Sequence, residues 1–575
     1  MPARTVYTLL EETAAAHGDK PALRQPVGGG KYKTYNWSET RDLVRWTALG
    51  LRSLGVKVGD IIALQSETRA EFYFADMGVM TAGAVSAALY TSLPFAEQAE
   101  AVRTCEARVI LVENAKAMHG LRAVLGDAQE YQWIVLTGAA EGFPTLADLI
   151  EKGRQALATD PAAFDRLLDS YDATALAVLY MTSGATGAPK MGLVTHHSLV
   201  ANIDMTPAVL PLKCDDSTVA FLPSAHIAQR VVAQLMPTLT GSCVWFSEGL
   251  SKLPHELRSA RPTFFLSPPR VWERMYSSII AEIKKRPAHM RKLFYLALGM
   301  GARAASLRRE GKRVPFWIRS ALKLFDRVIF AKIRERLGGR LRFPISGAAP
   351  LSKELAEFYE AIGMPLLEGY GLTEGGVISV NPFHRVKPGS IGTLLPGIET
   401  RIDEDGELLV RSPANFEGYF KDPEATAAVL RDGWLATGDI ATRDDEGYYY
   451  ITGRKKELIV ASNGKKIYPA RIEGLFKQEP LISHVLLIGD KLPYVTALIT
   501  VTGDPAAAAP VVAQTVKNVN RQLPQFEQIR KFKILDRDFT IEHGELTPTM
   551  KLRRSRALEN HRALVNELYA GREFE

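Results

Sequence analysis

The residues best suited to chemistry lie in one short stretch, Tyr180-Met-Thr-Ser-Gly-Ala-Thr-Gly-Ala-Pro-Lys190. It follows the apolar run Ala175 to Leu179, whose length and composition predict a buried strand. Glycines let backbone N–H groups approach a phosphate, hydroxyls donate to its oxygens, and a lysine neutralises its charge. The loop is therefore expected to cradle a polyphosphate. It is not a Walker loop, which needs four residues between its glycines and then Lys-Ser/Thr. Here Gly184 and Gly187 are closer together and Pro189 precedes the lysine. Taken alone, such a Ser/Thr/Gly cluster also suits an ordinary turn.

Further motifs follow downstream: Glu368-Gly-Tyr-Gly-Leu-Thr-Glu374, Thr437-Gly-Asp439, Gly453-Arg-Lys-Lys-Glu-Leu-Ile459 and Leu546-Thr-Pro-Thr-Met-Lys551. In this order they resemble the adenylate-forming superfamily of acyl-CoA synthetases, peptide-synthetase adenylation domains and luciferases, over nearly the whole chain. The resemblance implies a two-step reaction. A carboxylate and ATP give acyl-AMP and pyrophosphate, and a coenzyme A thiol then displaces AMP. Such chemistry asks a protein mainly for positioning and for neutralising negative charge.

The resemblance also implies residue roles. Thr182, Ser183, Gly184, Thr186, Gly187 and Lys190 would hold the β- and γ-phosphates. The ring of Tyr370 would stack on adenine next to Gly371, with Gly347 and Ala348 of Ser346-Gly-Ala-Ala-Pro350 on the same side. Thr373 would contact the α-phosphate, and Glu374 would ligate Mg²⁺. Asp439 would accept both ribose hydroxyls, as a carboxylate can from a vicinal diol, and Arg454 would add a ribose contact. Lys551 would bridge the acyl carboxylate and the α-phosphate, with His226 of Phe221-Leu-Pro-Ser-Ala-His-Ile-Ala-Gln-Arg230 beside that carboxylate. Lys456 would be the hinge between two domains, and Gly464 of Ser462-Asn-Gly464 would line the pantetheine path. The chain departs from the family pattern at Ala185, usually Thr, and at Met191, usually Gly near a tight turn.

The same residues also have plainer readings. Tyr-Gly-x-Thr-Glu suits a helix start, Thr-Gly-Asp a hairpin turn, and a lysine among Arg553, Arg554 and Arg556 a solvated cation. His226 alone suits a satisfied core position. His196 and His197 are adjacent, so they point apart on a helix or a strand and read as structural rather than metal-binding.

The stretch Ser267-Pro-Pro-Arg-Val-Trp-Glu-Arg, a long basic segment, and Lys332-Ile-Arg-Glu-Arg-Leu-Gly-Gly-Arg-Leu-Arg342 look like long-chain fatty acyl-CoA synthetases. The implied substrates are a fatty acid, ATP and coenzyme A. Other readings stay open: a ligase for medium-chain, cyclic or aryl acids, a fatty acyl-AMP ligase loading a carrier protein, a luciferase-like oxygenase, or a degenerate acyl or nucleotide sensor.

These residues need a scaffold. A chain of 575 residues exceeds a single core. Its 46% hydrophobic and 23% charged content is that of a globular protein. Strand-like runs such as Ile61-Ile-Ala-Leu, Ala107 to Val112 and Thr263-Phe-Phe-Leu alternate with helical ones, which predicts βαβ units and largely parallel sheets. The expected fold class is α/β. A large body of stacked sheets with helices and a strand-rich subdomain occupies residues 1–453, a hinge 454–456, and a small mobile α+β lid 457–575. The run from Met77 to Tyr90 is too short to span a bilayer and is expected to be a core helix and a buried strand. Ala506 to Pro510 reads as a short loop with a helix start. Cys105, Cys214 and Cys243 are far apart, which argues against a disulfide framework or zinc site and fits a reducing cytoplasm. The N-terminus has no signal-peptide core.

Charge is uneven. Residues 281–342 hold 18 Lys/Arg against four acids, a balance of 18 − 4 = +14, within a chain of net charge +7. Phe294, Tyr295, Phe316, Trp317, Phe325 and Phe330 are interleaved with these charges. A solvated helical layer is one expectation and peripheral contact with an anionic membrane the other. No nucleic-acid motif accompanies the segment.

Overall fold

The computed structural model of the chain describes residues 4–126, 130–182, 190–461, 465–547 and 550–569. Its central sheet has seven strands in the order Gly418–Tyr419, Lys190–Thr195, Leu176–Thr182, Val85–Leu89, Ile61–Gln65, Val109–Val112 and Gln132–Val135. The last five run parallel. They are near-continuous apolar runs because helices cover both faces. The run Met77 to Tyr90 resolves as expected into the end of the helix Ala70–Thr81 and the strand Val85–Leu89, both buried.

A second sheet carries the parallel strands Phe264–Ser267, Phe343–Ser346 and Leu367–Leu372, extended antiparallel by Gly376–Val380 and Thr393–Leu394. In parallel α/β sheets, ligands bind beyond the carboxyl ends of the strands. Those ends here deliver Thr182, Gly347 and Thr373. A four-stranded sheet joins Pro21–Pro26 to Cys243–Phe246, and an antiparallel sheet is built on Glu407–Arg411, Trp434–Arg443 and Tyr449–Arg454.

After Ile459 the chain builds separate cores around the strands Ile482–Ile488, Val495–Val501 and Ile529–Ile534. The main body's cores end at Tyr449. Lys477 reaches back across the junction, donating to the Pro350 carbonyl at 3.1 Å and lying 3.6 Å from Glu273.

One expectation fails. Ala506 to Pro510 is not a loop but part of the helix Pro505–Asn520, with Pro510 inside it. Asp504 caps the helix start, Pro505 occupies its first turn, and four alanines favour helix strongly enough to accommodate the N–H that Pro510 lacks. The expected basic helical layer consists of Pro269–Lys284, Ala288–Arg309 and Phe316–Phe325, the last continued by a π turn, Asp326–Phe330, and Ala331–Glu335.

Candidate active site

A cavity of about 2240 Å³ opens between the body and the C-terminal unit. Its wall includes Thr182, Lys190, His226, Ala348, Gly371 and Thr373. Glu374, Arg454, Lys456 and Lys551 line it as well. Motifs separated by up to 369 residues, from Thr182 to Lys551 (551 − 182), thus face one space. Gly347, Tyr370 and Asp439 are not among the lining residues: Gly347 follows the strand Phe343–Ser346, and Tyr370 is hydrogen-bonded to Asp439. Ser183, Gly184, Thr186, Gly187 and Gly464, along with Ala185, lie outside the described residues.

Thr182 and Lys190 are register partners on antiparallel strands, and the Thr182 hydroxyl donates to the Lys190 carbonyl at 3.2 Å. The strands on either side of residues 183–189 are therefore paired to their ends. Met191 pairs with Met181 inside the strand and packs its side chain in the core. The departure from glycine there is a core substitution in extended backbone.

The Lys190 ammonium lies 3.8 Å from Asp422 and 5.1 Å from the centre of the Tyr419 ring. Tyr419 in turn donates its hydroxyl to Glu374 at 2.8 Å. Burial, and then the Glu374 charge, push the Tyr419 pKa up, so the phenol keeps its proton. Tyr419 and Asp422 were not legible as site residues. Their only signal was a Gly-Tyr pair, and Gly418 proves to sit at φ 137°, where a side chain is strained.

Tyr370 lies on the strand Leu367–Leu372 and donates its hydroxyl to Asp439 at 2.6 Å. Arg454 Nε lies 2.9 Å from the other Asp439 oxygen, an ion pair across the register pair Asp439–Arg454. The Asp439 side chain is only 3% exposed, so its expected role as a diol acceptor is covered by protein partners. Burial and the adjacent Asp439 raise the Tyr370 pKa far above a free phenol's. Desolvation works against the Arg454 cation, but Asp439 outweighs it and the pKa stays above the ordinary arginine value.

His226 caps the short helix Ile227–Gln229, and its Nδ1 accepts the Ala228 N–H at 3.2 Å. That bond leaves the ring proton on Nε2. Burial depresses the His226 pKa to about 4, so the ring is neutral at physiological pH. A π turn, Arg230–Leu235, continues the helix. Its Arg230 is fully buried and paired with the equally buried Asp76, which also accepts from Gln234 at 2.9 Å and Ser86 at 2.6 Å. This network, too, was not anticipated from sequence. His196 accepts the Val6 N–H at 3.2 Å and stacks on Tyr171, a structural role as expected. Among the described residues no three His, Cys, Asp or Glu side chains converge as a metal cage.

Lys551 sits on a tight hairpin: Leu546 bridges Leu552, and the Thr547 N–H donates to the Lys551 carbonyl at 2.8 Å. The base of the hairpin is held by Glu545, wholly buried, whose carboxylate accepts from Arg537 at 2.6 and 2.8 Å and from Asn560 at 3.1 Å. Lys551 is exposed to the cavity that it lines. Desolvation, then the neighbouring Arg454 charge, lower its pKa below the usual lysine value.

Comparisons with known proteins agree with this architecture. The family described as AMP-binding enzyme matches residues 10–420, and its C-terminal domain matches residues 456–573. The long-chain-fatty-acid–CoA ligase FadD15 of Mycobacterium bovis is 34% identical over 95% of this chain and 94% of its own. The long-chain-fatty-acid–CoA ligase ACSBG2 of Rattus norvegicus is 28% identical over 98% of this chain and 93% of its own. Among solved structures, the anthranilate CoA ligase AuaEII in complex with anthranoyl-AMP has the same fold, with a TM-score of 0.76 at 20% identity over 99% of both chains. ATP-bound MatB from Rhodopseudomonas palustris gives a TM-score of 0.72 at 22% identity, covering 98% of this chain and 100% of its own. The motif order, the α/β body with its small C-terminal unit and the shared cavity together make this chain a member of the AMP-binding enzyme family.

Proposed function

We propose that the protein is an ATP-dependent long-chain fatty acid–CoA ligase. In the first step a carboxylate oxygen bonds to the α-phosphorus and the bond to pyrophosphate breaks. In the second, the coenzyme A sulfur bonds to the acyl carbon, AMP leaves, and the thiol gives up its proton. The observation that carries the reading is the single cavity facing Thr182, Lys190, His226, Thr373, Glu374 and Lys551. The long-chain assignment is supported by the 34% identity to FadD15 over nearly the full length.

In this reading Lys190 and Thr182 flank the β- and γ-phosphates, Tyr370 carries the adenine, and Asp439 with Arg454 takes the ribose. Lys551 offers a point charge between carboxylate and α-phosphate as negative charge builds there. His226, neutral with its proton on Nε2, offers a donor beside the carboxylate without adding charge. Mg²⁺ usually binds through one or two carboxylates plus substrate phosphates, not an all-protein cage. The Glu374 carboxylate next to Thr373 fits that pattern and would hold the ion, which would neutralise phosphate charge.

Lys456 is the proposed hinge. Lys455, one residue earlier, is anchored to the body by Glu407 at 2.7 Å, and independent cores begin after it. Residues 1–453 would then be the body and 457–575 the lid. Gly464 would open the pantetheine path. A cytoplasmic site of action, with contact to an anionic membrane, completes the reading. It is supported by the spacing of the cysteines and the basic helical layer. No described helix is long and apolar enough to cross a membrane.

The test is pyrophosphate release with a panel of carboxylic acids, with and without coenzyme A. Release and thioester formation that peak with long-chain acids support the ligase. Release without thioester identifies a ligase for a carrier protein, and no release under either condition identifies a sensor.

A further inference from the structure

We propose that Glu545 is a positioning residue for adenylation: from inside the C-terminal unit it fixes the backbone arms that present Lys551 to the shared cavity. The assignment rests on the adenylating role of Lys551 proposed above. Glu545 is 0% exposed, so it touches no substrate and acts only through what it holds.

Its carboxylate gathers donors from two flanking segments, residues 537–540 and 560–561. Arg537 meets it as a fork, with Nη1 donating to Oε2 at 2.6 Å and Nη2 to Oε1 at 2.8 Å. The Thr540 N–H donates to Oε2 at 3.2 Å, and Asn560 donates to Oε1 at 3.1 Å. His561 Nε2 lies 3.1 Å from Oε1; an ionised carboxylate only accepts, so that nitrogen carries the proton. Burial works against the charge, but Arg537, Asn560 and the Thr540 N–H outweigh it and hold the carboxyl down at about 2.

A buried ion pair adds little stability that an apolar group of equal volume would not. What a carboxylate supplies is direction. This one ties both flanking segments to a single point immediately before Leu546, which is buried and bridges Leu552. The Glu545 carbonyl also accepts the Arg553 N–H at 2.7 Å, so one residue clamps both arms. Arg554 then donates to Glu473 at 2.6 Å and fastens the trailing arm to the helix Pro469–Leu475. Lys551 lies between these clamps, and its N–H donates to the Thr547 hydroxyl oxygen at 3.0 Å. Met550, just before it, has φ 64°, a conformation that a non-glycine residue keeps only where its surroundings impose it. A lysine side chain is long and flexible, so the backbone that carries it is what the protein can set. A misplacement of about 1 Å at a reacting group can cost roughly 10²-fold in rate.

The experiment measures, on the full chain, acyl-AMP formation from acid and ATP and thioester formation from supplied acyl-AMP and coenzyme A. Glu545→Gln keeps the shape but turns an amide NH₂ towards donors. It should lower kcat of the first reaction by about tenfold to hundredfold, with KM for ATP near the parent's, and leave the second reaction near the parent's rate. Added to Lys551→Ala, it should lower acyl-AMP formation no further, because Glu545 acts through Lys551. Arg537→Lys keeps the charge and loses the fork. It should show the same split at a smaller size, and it takes the place of Glu545→Gln if that variant does not fold. Equal loss in both reactions, a further fall in the Lys551→Ala background, or parent rates in Glu545→Gln and Arg537→Lys overturn the proposal. Acyl-AMP formation at the parent rate by Lys551→Ala refutes the reading of Lys551 itself. A slow Lys551→Ala beside an unimpaired Glu545→Gln refutes the positioning role alone.

Discussion

Removing the hydroxyl of Tyr370 should make ATP bind more tightly. The hydroxyl donates to Asp439 at 2.6 Å, and Arg454 occupies the other oxygen at 2.9 Å, on a carboxylate that is 3% exposed. A ribose that uses Asp439 must first displace the phenol. Hydrogen bonds to a charged group contribute about 1.5–3 kcal/mol net. Each 1.4 kcal/mol is roughly a tenfold change in affinity. Tyr370→Phe keeps the ring for stacking and removes the competing donor, so the Kd for ATP should fall by about tenfold to hundredfold. Tyr370→Ala also loses base stacking, worth roughly 1–3 kcal/mol, and should bind more weakly than the Phe variant. Calorimetric titration with a non-hydrolysable ATP analogue measures both. If Tyr370→Phe binds no more tightly than the parent, the hydroxyl does not compete with ribose, and the covered state of Asp439 is not the one nucleotide meets.

Three further outcomes follow from the geometry. Burial pushes the Glu368 carboxyl up to about 8, with the Leu351 N–H its hydrogen-bond donor, so the folded state favours the protonated form. A folded pKa above the unfolded value near 4.5 gives stability that is full below that value and is lost as pH rises towards 8. Glu368→Gln should therefore flatten the fall in thermal midpoint between these limits, and an unchanged pH profile would refute the assignment. Asp76→Asn leaves the Arg230 cation buried without its partner and should cost about 3–5 kcal/mol, seen as a lower unfolding midpoint. Adding Arg230→Met should recover most of it, and a midpoint that stays at the parent's would contradict the pairing. Lys456→Pro fixes φ at the proposed hinge, so pyrophosphate exchange should persist while thioester formation is lost; undiminished overall turnover would rule the hinge out.

The motif residues were legible because their chemistry demands particular types at fixed order. The strands that carry them were legible because fully buried parallel strands leave continuous apolar runs, as at Val85–Leu89 and Val109–Val112. What remained hidden depends on contacts across long separations. Tyr419 reaches Glu374 only because Gly418–Tyr419 pairs with the strand after the glycine-rich segment. Asp76 and Arg230 are 154 residues apart and meet only in the folded core. The helix through Pro510 is hidden in the sequence because a proline ordinarily ends a helix, whereas here the four alanines before it sustain one. The basic layer's charge was plain in the sequence, but which aromatic residues face outward required the helix packing.

We infer that Lys551 acts in adenylation alone, from a hairpin of the C-terminal unit that reaches the shared cavity. Removing one contact that stabilises charge in the transition state costs about 3–4 kcal/mol, roughly 10²–10³ in rate. The measurement is both half-reactions on one preparation of Lys551→Ala: acyl-AMP formation from acid and ATP, and thioester formation from supplied acyl-AMP and coenzyme A. The first rate should fall by that factor and the second stay near the parent's. Collapse of both rates together, or no change in either, would contradict it.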